Sequence, residues 1–322
     1  MKIDELDRRL VQALQVDGRA SFSLLGQVLG ISDQTVARRY RRLRSAGIVH
    51  VVGQADPRLT GQVRWYVRIR CRPDAALPIG EALARRPDTG WVQIVSGGTE
   101  IDFVVRIASA RDRDLLLMQK LPRTPQVHDV VAHCLVHLYY GGATEHAKLF
   151  DALTADEIAL LRGEPVVRRP MELDERDLAL LDALGRDGRA GFGELAAATG
   201  SSESTVKRRL EQLRAAGAFY FDVDVAAETF GYGAQSRLWL SVPPSQEVAV
   251  GEALAGHEEV AFAAATTGPT NLVASLVTRD VYALHEYVTQ RLGALAGVSG
   301  LETAPITRTL KGAGIIPPAV HA

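Results

Sequence analysis

The chain has 322 residues, a formal net charge of −1 and 47% hydrophobic residues. This length exceeds what one hydrophobic core usually serves, so we expect several globular domains, and the near-neutral charge excludes a polybasic binder. Two cysteines exclude a disulfide-rich scaffold. There is no apolar run of about 18 residues and the N-terminus is charged, so we expect a cytoplasmic protein without a membrane span.

The first 47 residues predict three helices, over residues 4–16, 23–29 and 32–47. In the third, Val36, Tyr40 and Leu43 recur at the spacing of one buried helical face. Ser32 has the chemistry of an N-cap, and Gly47 that of a helix stop. A helix, a short helix, a tight turn and a basic helix follow in the order of a helix-turn-helix motif.

The face of the third helix opposite its apolar stripe is basic and rich in hydrogen-bonding groups. It carries Gln34, Arg38, Arg41, Arg42 and Ser45. Arginine and glutamine side chains can reach base edges and phosphates in the major groove of DNA, although basic faces also occur on ordinary surface helices. Arg39, and Arg209 at the matching position of the second copy, lie near the edge of the apolar stripe, so we predict that each pairs with a carboxylate of the first helix of its copy.

The period of the pattern changes after this motif. Residues 48–53 predict a strand that forms a small wing, and the next 80 or so residues alternate between strands and helices. Strands are predicted over residues 63–72, 91–96, 101–108 and 127–140, with helices over 74–86 and 110–121. The order βαββαβ is that of a ferredoxin-like α+β unit. Thr154 and Glu157 form a capping-box pattern, which predicts a short connecting helix over residues 156–162.

The chain is duplicated. A shift of 170 residues aligns Asp17-Gly18-Arg19-Ala20 with Asp187-Gly188-Arg189-Ala190, and the match continues without a gap through Gly61 and Gly231. The second copy predicts helices over residues 174–186, 193–199, 202–217, 247–255 and 279–295, and strands over 218–225, 234–242, 260–266, 271–278 and 298–310. Pro305 inside the last strand predicts an edge or a bulge there.

These elements predict an α+β protein with two winged helix-turn-helix modules, each followed by a ferredoxin-like βαββαβ domain. The predicted segments are 1–60 (first DNA-binding module), 61–141 (first βαββαβ domain), 142–170 (linker), 171–231 (second DNA-binding module), 232–311 (second βαββαβ domain) and 312–322 (C-terminal tail).

The first copy carries the motifs LD…L..L..DGR at 6–19 and LG.S...V.RR...L...GI up to Ile48, and matching motifs run from 173 to Ala218 in the second copy. These motifs resemble those of the Lrp/AsnC (feast/famine) family of transcription regulators, present here as two full copies in tandem. The resemblance implies a regulator that binds double-stranded DNA, responds to a small effector such as an amino acid through RAM-type βαββαβ domains, and self-associates into homo-oligomers. It implies no enzymatic activity, no cofactor and no membrane partner.

The candidate site residues follow from the third helices and from the resemblance. The predicted DNA contacts are Ser32, Gln34, Thr35, Arg38, Arg41, Arg42, Ser204, Thr205, Lys207 and Arg208. The resemblance places effector contacts in the loops between the second and third strands, at Gly97, Gly98, Thr99, Glu100, Asp102, Thr267, Gly268, Thr270 and Asn271. Asn271 departs from the family pattern, which has an acid there, and these residue types also favour plain hairpin turns.

The two copies differ in charge. Residues 1–50 contain nine basic and five acidic residues, for a net charge of +4, whereas residues 171–220 contain seven and nine, for −2. Arg41 is replaced by Glu211 and Arg42 by Gln212. Because phosphate neutralisation supplies much of DNA affinity, we predict that the N-terminal module dominates DNA binding. We also predict that the two βαββαβ domains pair within the chain as a pseudo-dimer.

Two alternatives remain open at this stage. Siroheme decarboxylases share the two-part architecture and also occur as fused pairs, but this chain lacks their His-Asn-Tyr-like active-site stretch. A ligand-sensing assembly subunit without DNA binding is the other alternative. His128, His133, Cys134 and His137 lie on one predicted strand, yet their spacing matches no zinc motif, so no metal site is predicted.

Overall fold

The structure, a computed structural model, describes residues 2–142, 150–162, 169 and 171–314. They form two compact units. The first groups the two helix-turn-helix copies, from 1–61 and 142–230, with 313–315, and the second groups the two βαββαβ copies, mainly from 62–141 and 231–312. Residues 143–149, 163–168 and 170 of the predicted linker and the tail beyond residue 314 lie outside the described residues. Like elements of the two copies are therefore grouped together.

The secondary structure follows the predicted order. The helices are α1 (Glu5–Val16), α2 (Phe22–Leu29), α3 (Asp33–Ser45), α4 (Pro57–Thr60), α5 (Pro73–Ala84), α6 (Ala110–Arg113), α7 (Ala155–Arg162), α8 (Glu175–Arg186), α9 (Phe192–Thr199), α10 (Glu203–Ala215), α11 (Glu247–Gly256) and α12 (Val281–Glu286). The strands are β1 (Val49–Ala55), β2 (Val63–Cys71), β3 (Thr89–Val95), β4 (Glu100–Ile107), β5 (Val127–Tyr140), β6 (Phe219–Val225), β7 (Ala234–Ser241), β8 (Val260–Thr266), β9 (Leu272–Thr278) and β10 (Gly300–Lys311).

The helices of the first unit begin and end where their capping residues predict. The Asp4 carboxylate accepts the Asp7 N–H at the start of α1, and the Ser32 hydroxyl accepts the Thr35 N–H at the start of α3. Gly30 ends α2 in the left-handed conformation, with φ of 68°, which glycine adopts without strain. The predicted stripe of α3, Val36, Tyr40 and Leu43, is buried.

The predicted wing strands are present, but each pairs with the other copy. β1 runs antiparallel to β6, from Val49 opposite Val225 to Ala55 opposite Phe219. Each module supplies only one such strand, and a lone strand would leave a row of N–H and C=O groups unpaired. The two strands therefore satisfy each other, and this ribbon joins the two helix-turn-helix copies.

The second unit is a closed barrel of eight strands, in the order β10-β3-β4-β2-β5-β8-β9-β7. β5 pairs with β2 of its own copy over residues 127–134 and then with β8 of the other copy. β10 does the same, pairing first with β7 and then with β3. Pro305 is the last residue paired with β7, and a register shift follows at Ile306, as predicted for a bulge. The prediction that the two domains pair agrees with this strand order.

Each sheet half has a core under its helices. Ile69 and Phe103 belong to the first core, and Leu238 and Leu276 to the second. A further cluster, which includes Tyr66 and Trp239, packs on the opposite faces of the strands, inside the barrel. The side chains of one strand thus alternate between a helix-covered core and the barrel interior.

The second helix of each βαββαβ copy differs from the prediction. After one or two turns, α6 and α12 continue as wide helical turns, at Asp114–Lys120 and Tyr287–Leu292. There the N–H of Leu121 donates to the carbonyl of Leu116, five residues back. Within the part of the chain that the structure describes, no helix has the length and apolar character needed to cross a membrane.

Candidate nucleic-acid interface and barrel interior

Helix α3 exposes the predicted basic face. Gln34, Arg38 and Arg41 are exposed, and none of the ion pairs among the described residues involves either arginine. Ser32 and Thr35 lie at the start of this helix, with their hydroxyl oxygens 2.9 Å apart. The helix N-terminus thus presents hydroxyl groups, and the middle of the helix presents two guanidinium groups, all suited to polar contacts with a nucleic acid.

Two other arginines of α3 bind the buried carboxylate of Asp7. Arg39 Nη1 lies 2.8 Å from Asp7 Oδ1 and 2.8 Å from Asp4 Oδ2, which confirms the predicted pairing with the first helix. Arg42 Nη2 lies 2.5 Å from Asp7 Oδ2. The Arg42 guanidinium therefore reaches back across the helix to a fully buried carboxylate, while its side chain stays 41% exposed, and its contact with DNA stays a prediction.

Helix α10 repeats this arrangement with one arginine fewer. Arg209 lies 2.6 and 2.5 Å from the two carboxylate oxygens of buried Asp177, as predicted, and this contact lowers the pKa of Asp177. Ser204 and Thr205 surround the Ser202 hydroxyl, at 3.0 and 2.9 Å. Lys207 and Arg208 are exposed.

The two helices are therefore more alike than their sequences indicate. Arg38 and Arg41 on α3, and Lys207 and Arg208 on α10, take part in none of the ion pairs described for this chain. With Arg42 bound to Asp7, the remaining difference between the exposed faces is mainly Arg41 against Glu211 and Gln34 against Ser204. Helix α3 has a net charge of +4 and α10 one of +2, so most of the charge difference between the modules lies outside these two helices.

The repeated Asp-Gly-Arg-Ala motif joins the two copies. Arg19 donates to the carbonyls of Gly188 and Ala190 at 2.7 and 2.9 Å. Arg189 donates to those of Gly18 and Ala20 at 2.7 and 3.0 Å. We call these two residues the reciprocal arms. The exact repetition of this motif was visible in the sequence, but its role in joining the two copies was not predicted.

Ion pairs reinforce the same junction. Arg44 at the end of α3 lies 2.6 Å from Asp187, and Arg214 at the end of α10 lies 2.9 Å from Asp17. The C-terminal arginines of both recognition helices therefore hold the two modules together and are not available as free cations.

The predicted effector residues of the first copy do not form one site. Gly97 and Gly98 form a turn with φ of 68° and 94°, and the Thr99 hydroxyl donates to the Ser96 carbonyl within that turn. Glu100 and Asp102 are buried inside the barrel instead. They follow the turn directly, but they lie on β4, where alternation directs their side chains to the interior.

The predicted effector residues of the second copy close the end of the barrel. Thr267 bonds to Cys134 through both its N–H and its hydroxyl oxygen, at 3.0 and 2.9 Å. Asn271 bonds to the backbone N–H and C=O of Val242, each at 2.9 Å, and Thr270 offers its carbonyl to the Thr266 hydroxyl. These contacts are structural, and a role in ligand binding remains a prediction.

The barrel interior contains a group of polar and aromatic side chains that the sequence did not reveal. We call it the interior cluster, and it consists of Tyr66, Arg68, Gln93, Glu100, Asp102, His133, Arg237 and Trp239, with Glu302 at its half-exposed end. Arg68 bonds to both Glu100 and Glu302. Arg237 donates to Gln93 at 2.6 Å and lies 3.7 Å from Asp102.

Each arginine of the interior cluster packs against an aromatic ring of the other copy. The guanidinium of Arg68 lies 4.9 Å from the Trp239 ring centroid, and that of Arg237 lies 5.0 Å from the ring of Tyr66. Burial, together with nearby Glu100, raises the pKa of Asp102 to about 7, against the opposing effect of Arg237. Among the described residues, no group of three or more His, Cys, Asp or Glu side chains is placed to hold a metal ion.

Comparisons with known proteins agree with these modules. The AsnC-type helix-turn-helix domain matches residues 3–44 and 173–214, and the Lrp/AsnC ligand binding domain matches residues 239–316. The HTH-type transcriptional regulator FL11 of Pyrococcus abyssi is 29% identical over 142 residues, which are 44% of this chain and 93% of that protein. The HTH-type transcriptional regulator Ptr1 of Methanocaldococcus jannaschii is 26% identical over 146 residues, 45% of this chain and 99% of that protein.

The solved structure of a siroheme decarboxylase is similar over both copies. The siroheme decarboxylase NirDL superposes with a TM-score of 0.62 and 18% identity, covering 98% of this chain and 94% of that one. At this identity the likeness shows a shared fold alone. The duplicated helix-turn-helix matches and the matching ligand-binding domain instead carry the assignment. The chain therefore belongs to the Lrp/AsnC family of transcription regulators, with two copies fused in tandem.

Proposed function

We propose that this protein is a cytoplasmic, sequence-specific DNA-binding regulator whose activity responds to a small effector, an amino acid by class. The fused copies act as a pseudo-dimer that self-associates further, within the six-segment organisation given above. The observation that carries the proposal is the pair of capped recognition helices, each with exposed cations outside the ion-pair network: Arg38 and Arg41, and Lys207 and Arg208.

The N-terminal module contributes more to DNA binding in this proposal. Its recognition helix offers Gln34 and two guanidinium groups, which can form paired hydrogen bonds with base edges, whereas α10 carries Glu211 where α3 has Arg41. A carboxylate beside the phosphates is repelled and opposes binding. The fused pair would then bind an asymmetric operator rather than a palindrome.

The test compares two matched double variants on genomically recovered DNA sites. Arg38→Ala/Arg41→Ala should reduce affinity at least roughly tenfold and lower the steepness of its salt dependence, since each lost phosphate contact removes about one unit of slope. Lys207→Ala/Arg208→Ala should reduce affinity less. Equal losses would contradict the dominance of the N-terminal module, and no salt-dependent DNA binding by the unmodified chain would contradict the regulator proposal itself.

A second candidate function is decarboxylation of a siroheme-type tetrapyrrole. The observation that favours it is the fold shared with NirDL over 98% of this chain. Incubation with siroheme under reducing and oxidising conditions, followed by absorption spectra and product mass, distinguishes the two. A spectral change with loss of carbon dioxide supports the enzyme. DNA binding without turnover supports the regulator.

A further inference from the structure

The turn after the first helix of the second copy contains an aspartate that contacts both copies. Asp187 is the C-terminal cap residue of α8, and its Oδ1 accepts the backbone N–H of Arg189 at 2.9 Å. Its Oδ2 accepts from the guanidinium of Arg44, in the last turn of α3, at 2.6 Å. One carboxylate of the second copy therefore fixes its own turn and also holds the recognition helix of the first copy.

The first copy has the same arrangement at Asp17. Its Oδ1 accepts the backbone N–H of Arg19 at 3.0 Å, and its Oδ2 lies 2.9 Å from Arg214, in the last turn of α10. The side chains of Asp17 and Asp187 are 10% and 16% exposed. Because water screens a charge pair less when one partner is largely buried, each pair should bind more strongly than a fully exposed one.

The two turns are packed closely against the ribbon of β1 and β6. A Cβ at Gly18 would lie 2.8 Å from Val51 Cγ1 and 2.8 Å from Phe221 Cβ, and a Cβ at Gly188 would lie 2.9 Å from Val51 Cγ1. Each turn thus contacts a ribbon strand of the other copy, at a distance that only glycine permits. Turns packed this closely have little room to shift, so the two aspartates have fixed places.

A second contact from the opposite copy reaches α3 and has no counterpart of the same kind on α10. The guanidinium of Arg189 lies 5.2 Å from the ring centroid of Tyr40, in the buried stripe of α3. The negative face of an aromatic ring attracts such a cation. At the matching position α10 has Leu210, so Arg19 has no ring to face there. The second copy therefore holds α3 by a charge pair and a ring contact, whereas the first copy holds α10 by a charge pair.

These contacts bear on which DNA the chain can recognise. Paired helix-turn-helix modules bind two half-sites whose separation matches that of their recognition helices, and the major groove faces the protein once in about 10 base pairs. A change in the direction of one recognition helix relative to the other therefore alters the half-site spacing that fits. The groups that fix this direction are those that hold each helix from the opposite copy.

We propose that Asp187 and Asp17 are positioning residues that set the half-site spacing recognised by the chain, and that Asp187 has the larger effect because it acts on α3. The inference rests on the proposed function, since it concerns how the two recognition helices meet DNA. It gives the second copy a part in DNA recognition by α3, in addition to any contact that α10 makes itself.

The first experiment measures affinity for a series of duplexes that differ in half-site spacing. The unmodified chain should bind the recovered site at least roughly tenfold more tightly than a site lengthened by about half a turn, or 5 base pairs. Asp187→Asn should reduce this preference at least about threefold, and Asp17→Asn less, because asparagine keeps an acceptor for the turn but loses the charge. A purely structural role would lower affinity equally at every spacing.

Two controls accompany the series. Asp182→Asn removes a charge from the same helix, α8, where Asp182 pairs with Arg186 of its own copy, and it should leave the spacing preference unchanged. Arg44→Gln/Asp187→Asn should behave as Asp187→Asn alone, since each residue acts through the other. An unchanged preference in Asp187→Asn, or no preference in the unmodified chain, would overturn the positioning role. Equal losses in Asp17→Asn and Asp187→Asn would overturn the larger effect of Asp187.

The second experiment needs no DNA. Spin labels at Gln34→Cys and Ser204→Cys, two exposed positions on α3 and α10, report the distance between the helices by pulsed electron paramagnetic resonance. The background is Cys71→Ala/Cys134→Ala, which removes both native thiols. The unmodified contacts should give one narrow distance distribution, and Asp187→Asn should widen it more than Asp17→Asn does.

The outcomes separate this inference from the proposed function. A wider distribution in Asp187→Asn, in a chain that shows no DNA binding, would support the positioning of the helices and refute the regulator. A distribution that stays narrow in both variants, in a chain that binds DNA, would overturn the positioning role and leave the regulator supported. Circular dichroism checks that each variant is folded.

Discussion

The buried aspartates at the start of each helix-turn-helix copy show how one side chain decides which arginines are free. Asp7 and Asp177 are buried at matching positions, and each accepts an arginine of the third helix of its own copy. Asp7 has two such partners, Arg39 and Arg42, whereas Asp177 has Arg209 alone among the described ion pairs. The two copies therefore differ in how well they tolerate the loss of one arginine.

We expect Arg209→Ala to destabilise the chain by about 2 kcal/mol, because it leaves a buried carboxylate without its cation. Arg39→Ala should cost less, since Arg42 remains bound to Asp7. Urea unfolding followed by circular dichroism measures both changes. Arg208→Ala, an exposed neighbour, is the control and should stay within about 0.5 kcal/mol of the unmodified chain. If Arg39→Ala destabilises the chain as much as Arg209→Ala does, then Arg42 does not compensate Asp7 for the loss of Arg39.

Asp102 should make stability depend on pH. Its pKa is raised from 3.8 to about 7 in the folded chain, so the folded state binds the proton more tightly than the unfolded state. Its contribution to stability is complete below the unfolded pKa and is lost as pH rises through the folded one, at up to roughly 1.4 kcal/mol per pH unit. Asp102→Asn removes this slope.

The measurement compares the unfolding free energies of the unmodified chain and Asp102→Asn at about pH 4 and pH 7. The unmodified chain should lose stability relative to the variant over this interval. A constant difference between the two proteins would show that Asp102 titrates normally. Asp224, whose pKa burial also raises to about 7, is present in both proteins and cancels.

At the scale of elements, the junction between the two helix-turn-helix copies is built symmetrically. The ribbon of β1 and β6, the reciprocal arms and the two ion pairs at the ends of α3 and α10 all link one copy to the other. The arms use the geometry of the guanidinium group, because each donates to two carbonyls at once. An ammonium group has no such fork.

We expect Arg19→Lys and Arg189→Lys each to destabilise the first unit by about 1–2 kcal/mol, the value of one or two lost hydrogen bonds from a charged donor. DNA affinity should fall as well, although neither residue lies on a recognition helix. Chemical unfolding and DNA titration measure the two effects. Arg176→Lys, at an exposed position of α8, should change neither. A normal DNA affinity in both arm variants would contradict the expectation that DNA binding depends on the junction between the two copies.

The elements were predictable where the pattern is local. Capping residues and apolar periodicity placed α1 to α3 and their repeats, and the edge position of Arg39 and Arg209 predicted their partners. Periodicity gives the direction of a side chain but not its reach, so the Arg42–Asp7 pair was missed. The resemblance assigned Glu100 and Asp102 to the effector loop, although Asp102 already fell within the strand predicted over residues 101–108, and a motif does not show which face of a strand a side chain takes. The pairing of β1 with β6 depends on residues about 170 positions apart, which local patterns do not report.

At the scale of the whole chain, β5 and β10 each divide their pairing between the two copies. β5 leaves β2 and continues on β8, and β10 leaves β7 and continues on β3. Each copy therefore contributes backbone hydrogen bonds that close the barrel around the other. The barrel has no free edge that could pair with another chain.

We expect the halves to stay associated after the chain between them is cut. A specific protease site inserted between residues 145 and 146 should yield two fragments that elute together in gel filtration at the mass of the intact chain. Strong denaturant should separate them. Separate elution in native buffer would contradict the strand exchange between the copies.

The two barrel arginines that pack against rings of the other copy have a consequence for how such a protein evolves. In a dimer of identical subunits, every substitution appears twice, once on each side of the symmetry axis. Here Arg68 lies against Trp239 and Arg237 against Tyr66, so matching positions hold different residues, and a single mutation alters only one of them. In a fused chain, one half of the interior can therefore change while the other half stays as it is.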